Sequence, residues 1–141
     1  MTEKKTLKIS ADVDNLDSVT GFVDSHLEDV GCPLKFQMQI DVAVEEIFVN
    51  IASYAYRQSS DKNAEISLYF EEEPKTVVIE FIDSGMPFDP LAKDDPDVTL
   101  SAEERKIGGL GIFMVKKTMD DVQYKRENGQ NILTIRKKLS L

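Results

Sequence analysis

Residues 76–82, Thr-Val-Val-Ile-Glu-Phe-Ile, are almost continuously apolar and stop at Asp83-Ser84-Gly85. Such a run reads as a buried central strand rather than as a surface strand with one wet face. A strand of that kind needs a neighbour on each side and an apolar layer over it. The neighbours are written nearby. Glu65–Phe70 is a second strand pattern, and Asp121–Arg126 and Ile132–Lys137 flank a turn at Glu127-Asn128-Gly129-Gln130. The covering layer is written upstream. Ile40, Val44, Ile47, Ile51 and Tyr54 recur at helical spacing and predict one long helix from Lys35 to about Tyr56. Helices lead and most strands follow, with no regular βαβ alternation. This predicts an α+β two-layer sandwich, with helices on one face of a mixed β-sheet.

The remaining segments fit that frame. Leu7-Lys8-Ile9 reads as an edge strand. Asp14 or Asn15 is placed to cap a first helix over about 15–30, which Gly31-Cys32-Pro33 ends. A third helix is expected from about Leu110 to Met119. Residues 86–107 hold three prolines and many acids, a connection long enough to suggest a functional segment. No repeat or linker divides the chain, so residues 1–141 are expected to form one domain.

Charge and composition exclude several functions. The net charge of −9 repels a phosphate backbone, which argues against direct nucleic-acid binding. No apolar run is long enough to span a membrane, and the N-terminus lacks the apolar core of a signal peptide. A single cysteine, Cys32, forms no internal disulfide and is compatible with a reducing cytosol. His26 and Cys32 have no sequence partners for metal or nucleophilic chemistry and read as structural.

Three patches carry chemistry. On the long helix, Glu46 and Asn50 are one turn apart on a small, polar stripe. An amide oxygen is a fair Mg²⁺ ligand where phosphates complete the shell, and a carboxylate beside it can orient or deprotonate a hydroxyl. By itself, the pair is better explained as an ordinary solvated helix face. At the end of the apolar run, Asp83 can accept from an exocyclic amine. Gly85 removes bulk where a flat base approaches the backbone, and Pro87 helps force the turn. Asp-Ser-Gly is also an ordinary turn. Third, Gly108-Gly109-Leu110-Gly111 opens a helix, where converging N–H groups favour an anion. It is neither a Walker A loop nor G-x-G-x-x-G. Arg105 and Lys106 precede it, either as a charge clamp on a terminal phosphate or as solvated charges.

Together, in this order, the patches resemble the GHKL ATPase superfamily of gyrase, Hsp90, histidine kinases and MutL. Glu46-x-x-x-Asn50 is similar to its N box, Asp83-x-Gly85-x-Pro87 to its G1 box, and Gly108-Gly109-Leu110-Gly111 to its G2 box. Asp83–Pro90 and Gly108–Val122 are most similar to the small anti-sigma-factor serine kinases of bacterial partner-switching modules. That resemblance implies a Bergerat-type sandwich holding ATP between helices and sheet. It implies Asp83 on adenine, Asn50 on Mg²⁺, residues 88–107 as a lid, and Glu46 activating an acceptor serine. It further implies a cytoplasmic homodimer with two partners: a STAS-fold anti-anti-sigma protein as substrate, and a sequestered sigma factor or other regulator. Two positions depart from the pattern. Tyr54 stands where some members have histidine, and Gly129-Gln130-Asn131 where many have Gly-Thr. A nucleotide-gated binding module without transferase activity is the alternative reading. A histidine kinase is not, since His26 sits in no recognisable phosphoacceptor helix.

Overall fold

The computed structural model describes residues 2–55, 62–87, 89–92 and 109–140. Five strands form one sheet in the order β1-β2-β3-β5-β4: β1 Lys5–Ser10, β2 Asn63–Glu71, β3 Thr76–Asp83, β4 Asp121–Glu127 and β5 Gln130–Lys138. Three helices accompany them: α1 Leu16–Asp29, α2 Leu34–Asn50 and α3 Gly109–Thr118. The α+β two-layer sandwich read from the sequence is the fold found.

One detail differs. The sheet is wholly antiparallel rather than mixed. The reason lies in the β3–α3–β4 crossover. A single helix between two strands normally leaves them parallel and adjacent. Here β5 folds back into the slot between β3 and β4, so each neighbour of β5 runs against it. The resulting register places Asp83 opposite Asn131, Phe81 opposite Leu133 and Ile79 opposite Ile135.

Alternation decides which face is covered. Val77, Ile79 and Phe81 of β3 share one face with Leu133 and Ile135 of β5, and all are buried in the main core. Ala64, Ile66, Leu68 and Phe70 do the same from β2. Val19, Val23 and Leu27 of α1 pack down on this face, as do Ile40, Val44, Ile47 and Phe48 of α2. Burying one Leu, Ile or Phe side chain is worth about 1.5–3 kcal/mol. The opposite face carries Glu65, Tyr69, Glu80 and Arg136, all half-buried, around a buried Val78.

Two helix termini depart from expectation. The cap before α1 is Asp12, whose carboxylate accepts the Asp14 N–H at 2.9 Å and opens a short 3₁₀ turn at Val13–Asn15. Asn15 makes no side-chain cap; its amide donates to the Ser10 carbonyl instead. The long helix is regular only to Asn50 and then widens into a π-helical turn, Ile51–Ala55. Widened turns of this kind often mark functional sites. Here the change of pitch begins at the residue after the N-box asparagine.

Candidate nucleotide site

A cleft opens where the C-terminal end of α2 meets the end of β3. Its empty volume is about 350 Å³, part of it open to solvent. Ile47, Asn50 and Ile51 form one wall, Phe81, Asp83, Asn131 and Leu133 the floor, and Tyr124, Ile112 and Pro90 the rim. The lining is largely apolar with a few placed polar groups, which is how small-molecule sites are usually built.

The polar groups at the floor bond to one another. Asp83 is only 4 % exposed. Its Oδ1 accepts the Gly85 N–H at 3.0 Å and the Asn131 Nδ2 at 2.9 Å. Asn131 Nδ2 also donates to the Met86 carbonyl at 2.8 Å, and the Tyr124 hydroxyl donates to Asn131 Oδ1 at 2.5 Å. Arg126 Nη1 donates to the Gly85 carbonyl at 2.8 Å. Burial pushes the Asp83 carboxyl above its ordinary value, while Asn131, the Gly85 amide and the Arg126 charge pull against that.

The α2 end of the cleft is different. Asn50 is buried, and its Nδ2 has no hydrogen-bond partner among the described residues. Glu46, one turn earlier, is half-buried. Its pKa is raised, first by burial and then by the neighbouring charge of Glu45. The Glu46 carboxyl lies against the first turn of α3 so closely that a Cβ on Gly111 would collide with it. Glycine at 111 is therefore a steric requirement for this contact, whatever its helix propensity.

The sequence over residues 9–137 matches the histidine kinase-like ATPase domain family. The chain belongs to that family. Serine-protein kinase RsbW of Listeria monocytogenes is 28% identical over 98 residues, 67% of this chain and 61% of that protein. Serine/threonine-protein kinase BtrW of Bordetella bronchiseptica is 25% identical over 101 residues, 72% of this chain and 70% of that protein. Serine-protein kinase RsbW of Bacillus cereus is 27% identical over 118 residues, 81% of this chain and 66% of that protein. The match thus spans about two thirds of the length of these relatives. In fold, the crystal structure of the RsbU and RsbW domains of a Mycobacterium tuberculosis protein superposes with a TM-score of 0.71. It is 14% identical and covers 99% of this chain and 33% of that one.

Within this ATPase domain the structure brings Asn50 and Asp83 to one cleft, with Glu46 beside them. Gly85 is buried under the floor, Pro87 is exposed, and Pro90 rather than Pro87 lines the rim. Gly109 and Leu110 begin α3, and Gly111 receives Glu46. Arg105, Lys106 and Gly108 lie outside the described residues, as does most of the 88–107 connection. The His26 ring meets Phe22 edge-on at 4.9 Å. Cys32 carries a thiol pushed up by burial, which disfavours the reactive thiolate.

The residues fit Mg²⁺ and a nucleotide. A buried amide without a partner inside a cleft is a group waiting for a ligand. Turned over about its last bond, the Asn50 amide presents its oxygen at the same place. Asp83 keeps Oδ2 outside any hydrogen bond among the described residues, which suits an amine donor.

Sequence reasoning missed Tyr124, Arg126 and Ile112 as site residues. It noted Asn131 only as a departure. A signal for Asn131 existed: it stands in phase with Leu133 and Ile135, a lone amide on an apolar strand face. Tyr124 gave none, because its role depends on β4 pairing with β5.

Proposed function

We propose that this protein binds Mg-ATP in the cleft and transfers the terminal phosphoryl group to a serine hydroxyl of a protein partner. The observation that carries this reading is the placing of the buried Asn50 amide, whose Nδ2 meets no partner among the described residues, one turn from the Glu46 carboxyl that lies against Gly111. It is supported by the family and by relatives named serine-protein kinases.

Each residue then has a task. Asp83 accepts from the exocyclic amine of adenine. Asn50 holds Mg²⁺, which when bound neutralises phosphate charge that a protein of net charge −9 would otherwise repel. The G2 glycines, Gly108 to Gly111, present backbone N–H groups to phosphate, and Arg105 and Lys106 add positive charge. Glu46 accepts the proton of the attacking serine. Its raised pKa, caused by burial and the Glu45 charge, strengthens it as a base. Phosphoryl transfer asks mainly for positioning and charge neutralisation, and these residues supply both.

The finer reading is an anti-sigma factor. The chain acts in the cytoplasm as one ATPase domain and pairs as a homodimer. It phosphorylates a STAS-type anti-anti-sigma protein and sequesters a sigma factor or similar regulator. Among the described residues no helix is long and apolar enough to cross a membrane, which suits that setting. The test is incubation with Mg-ATP and the STAS proteins of its own genome, read by mass spectrometry. A phosphoserine on one of them establishes the activity and the substrate together. ATP binding by calorimetry with no transfer to any of them would replace the kinase by a nucleotide-gated binding module.

A further inference from the structure

We propose that Tyr124 and Asn131 form a hydrogen-bond relay that positions Asp83 and makes the base subsite select a 6-aminopurine, adenine, over the 6-oxopurine guanine. The inference rests on the nucleotide-binding reading above and names what sets its base preference.

The direction of the relay is fixed by its chemistry. A carboxylate and a backbone carbonyl only accept, so the group that meets both Asp83 Oδ1 and the Met86 carbonyl must be the amide nitrogen of Asn131. That leaves the Asn131 oxygen as an acceptor, and the Tyr124 hydroxyl donates to it. The chain of donation therefore runs from Tyr124 through Asn131 to Asp83, with the second amide hydrogen of Asn131 on the Met86 carbonyl. With the Gly85 N–H also on Oδ1, that oxygen holds two donors, and the carboxylate is fixed with Oδ2 left over. What the cleft offers a base at this point is an acceptor alone. Adenine brings an amine there. Guanine in the same pose, with its 6-position toward Asp83, brings a carbonyl oxygen, and two acceptors face each other without a proton between them. Sites that hydrogen-bond one group reject analogues lacking it by large factors, because a buried partner is left unpaired.

The relay also reaches the backbone on which the base would lie. Asn131 holds the Met86 carbonyl, and Arg126 holds the Gly85 carbonyl. The turn after β3 is thus tied to β5 and to the edge strand β4. Tyr124 and Asn131 are positioning residues in this scheme. They act through Asp83, and Asn131 restrains its protonation as well as its orientation.

The test measures ADP and GDP affinities with Mg²⁺, by competition against a fluorescent ADP analogue, across pH 5–8. Wild type, Tyr124→Phe, Asn131→Ala and Asp83→Asn are compared as full-length chains. Tyr124→Phe keeps the ring and removes only the hydroxyl, so it decides the matter even if Asn131→Ala folds poorly. It should weaken ADP by about three- to tenfold, the loss of one net hydrogen bond, and leave GDP unchanged. Asn131→Ala should narrow the ADP-to-GDP ratio further. It should also move the acid limb of ADP binding to higher pH, because Asp83 loses a donor that favours its ionised form. Equal losses for ADP and GDP with an unmoved limb would mark a structural role only and overturn the relay. So would unchanged affinities in both variants while Asp83→Asn loses ADP, and in that case the nucleotide reading stands. A wild type that binds neither nucleotide sinks both.

Discussion

The two ends of the cleft are built on opposite plans. At the base end, Asp83, Asn131, Tyr124, Gly85 and Arg126 hydrogen-bond one another across three strands and a turn. At the phosphate end, the Asn50 Nδ2 has no partner among the described residues and the Glu46 carboxyl is pushed upward in pKa. The first end is complete before any ligand arrives, so little reorganisation is needed to receive a base. The second is incomplete, and an incomplete buried polar site costs stability until a ligand satisfies it. This difference separates recognition from chemistry. Substitutions at the base end should change affinity and selectivity, and those at the phosphate end should change turnover.

Glu46→Gln gives the largest expected break in that division. It removes the base but keeps the shape of the side chain. Phosphoryl transfer should fall by about 10²–10⁴, the usual contribution of a general base. ATP affinity by calorimetry should change little. Transfer at the wild-type rate would remove Glu46 from its role and blur the two ends.

Gly111→Ala sharpens the same point through sterics. The new methyl would strike the Glu46 carboxyl, the mobile end of a flexible side chain. The fold can therefore yield locally, and alanine in place of glycine within α3 favours the helix by roughly 0.5–1 kcal/mol. The melting temperature should hold or rise, while transfer falls by up to about 10², as expected for a catalytic group displaced by an ångström. A loss of stability with full transfer would mean that Glu46 does not work from this position.

How much of this was legible in the sequence follows from the range of the interactions. The apolar run of β3 and the stripe on α2 are local patterns, and each landed where the pattern put it; Gly109 and Gly111 fall in the first turn of α3, while Gly108 lies outside the described residues. The antiparallel sheet was not legible, because nothing in residues 121–138 states that β5 enters the slot beside β3. The relay was hidden for the same reason. Asp83 and Asn131 are 48 positions apart, and only strand pairing sets them opposite each other. The π-helical turn after Asn50 was also invisible, since Ile51 and Tyr54 continue the apolar spacing of a regular helix.

Glu45→Gln tests the phosphate end more gently. Glu45 is exposed, and its charge is the second cause of the raised Glu46 pKa after burial. Glu46 must be ionised to accept a proton, so transfer is lost as pH falls through its pKa. Removing the Glu45 charge lowers that pKa, and the acid limb of the rate should move to lower pH with the plateau kept. ADP affinity across the same range should keep its own limb, because that limb belongs to Asp83. If both limbs moved together, the two ends would be one coupled site.

Away from the cleft, a carboxyl pair between the helices offers a control in which pH acts on the fold alone. Asp41 of α2 is raised from 3.8 to about 7, by burial first, then by a hydrogen bond with Asp24 and the charges of Asp24 and Glu28 on α1. Protonated, Asp41 can share its hydrogen with Asp24; ionised, it sets two negative charges together between packed helices. The folded state thus binds this proton more tightly than the unfolded chain. Its contribution is fully present below pH 3.8 and is lost as pH rises through about 7. Asp41→Asn cannot ionise, and its amide still donates to Asp24. The variant should melt above the wild type at pH 8, by roughly 2–4 °C, with the gap closing toward pH 5. ADP affinity and the ADP-to-GDP ratio should be unaffected at either pH. A gap that stayed constant with pH would show that Asp41 is ionised throughout, and that the α1–α2 contact tolerates both charges.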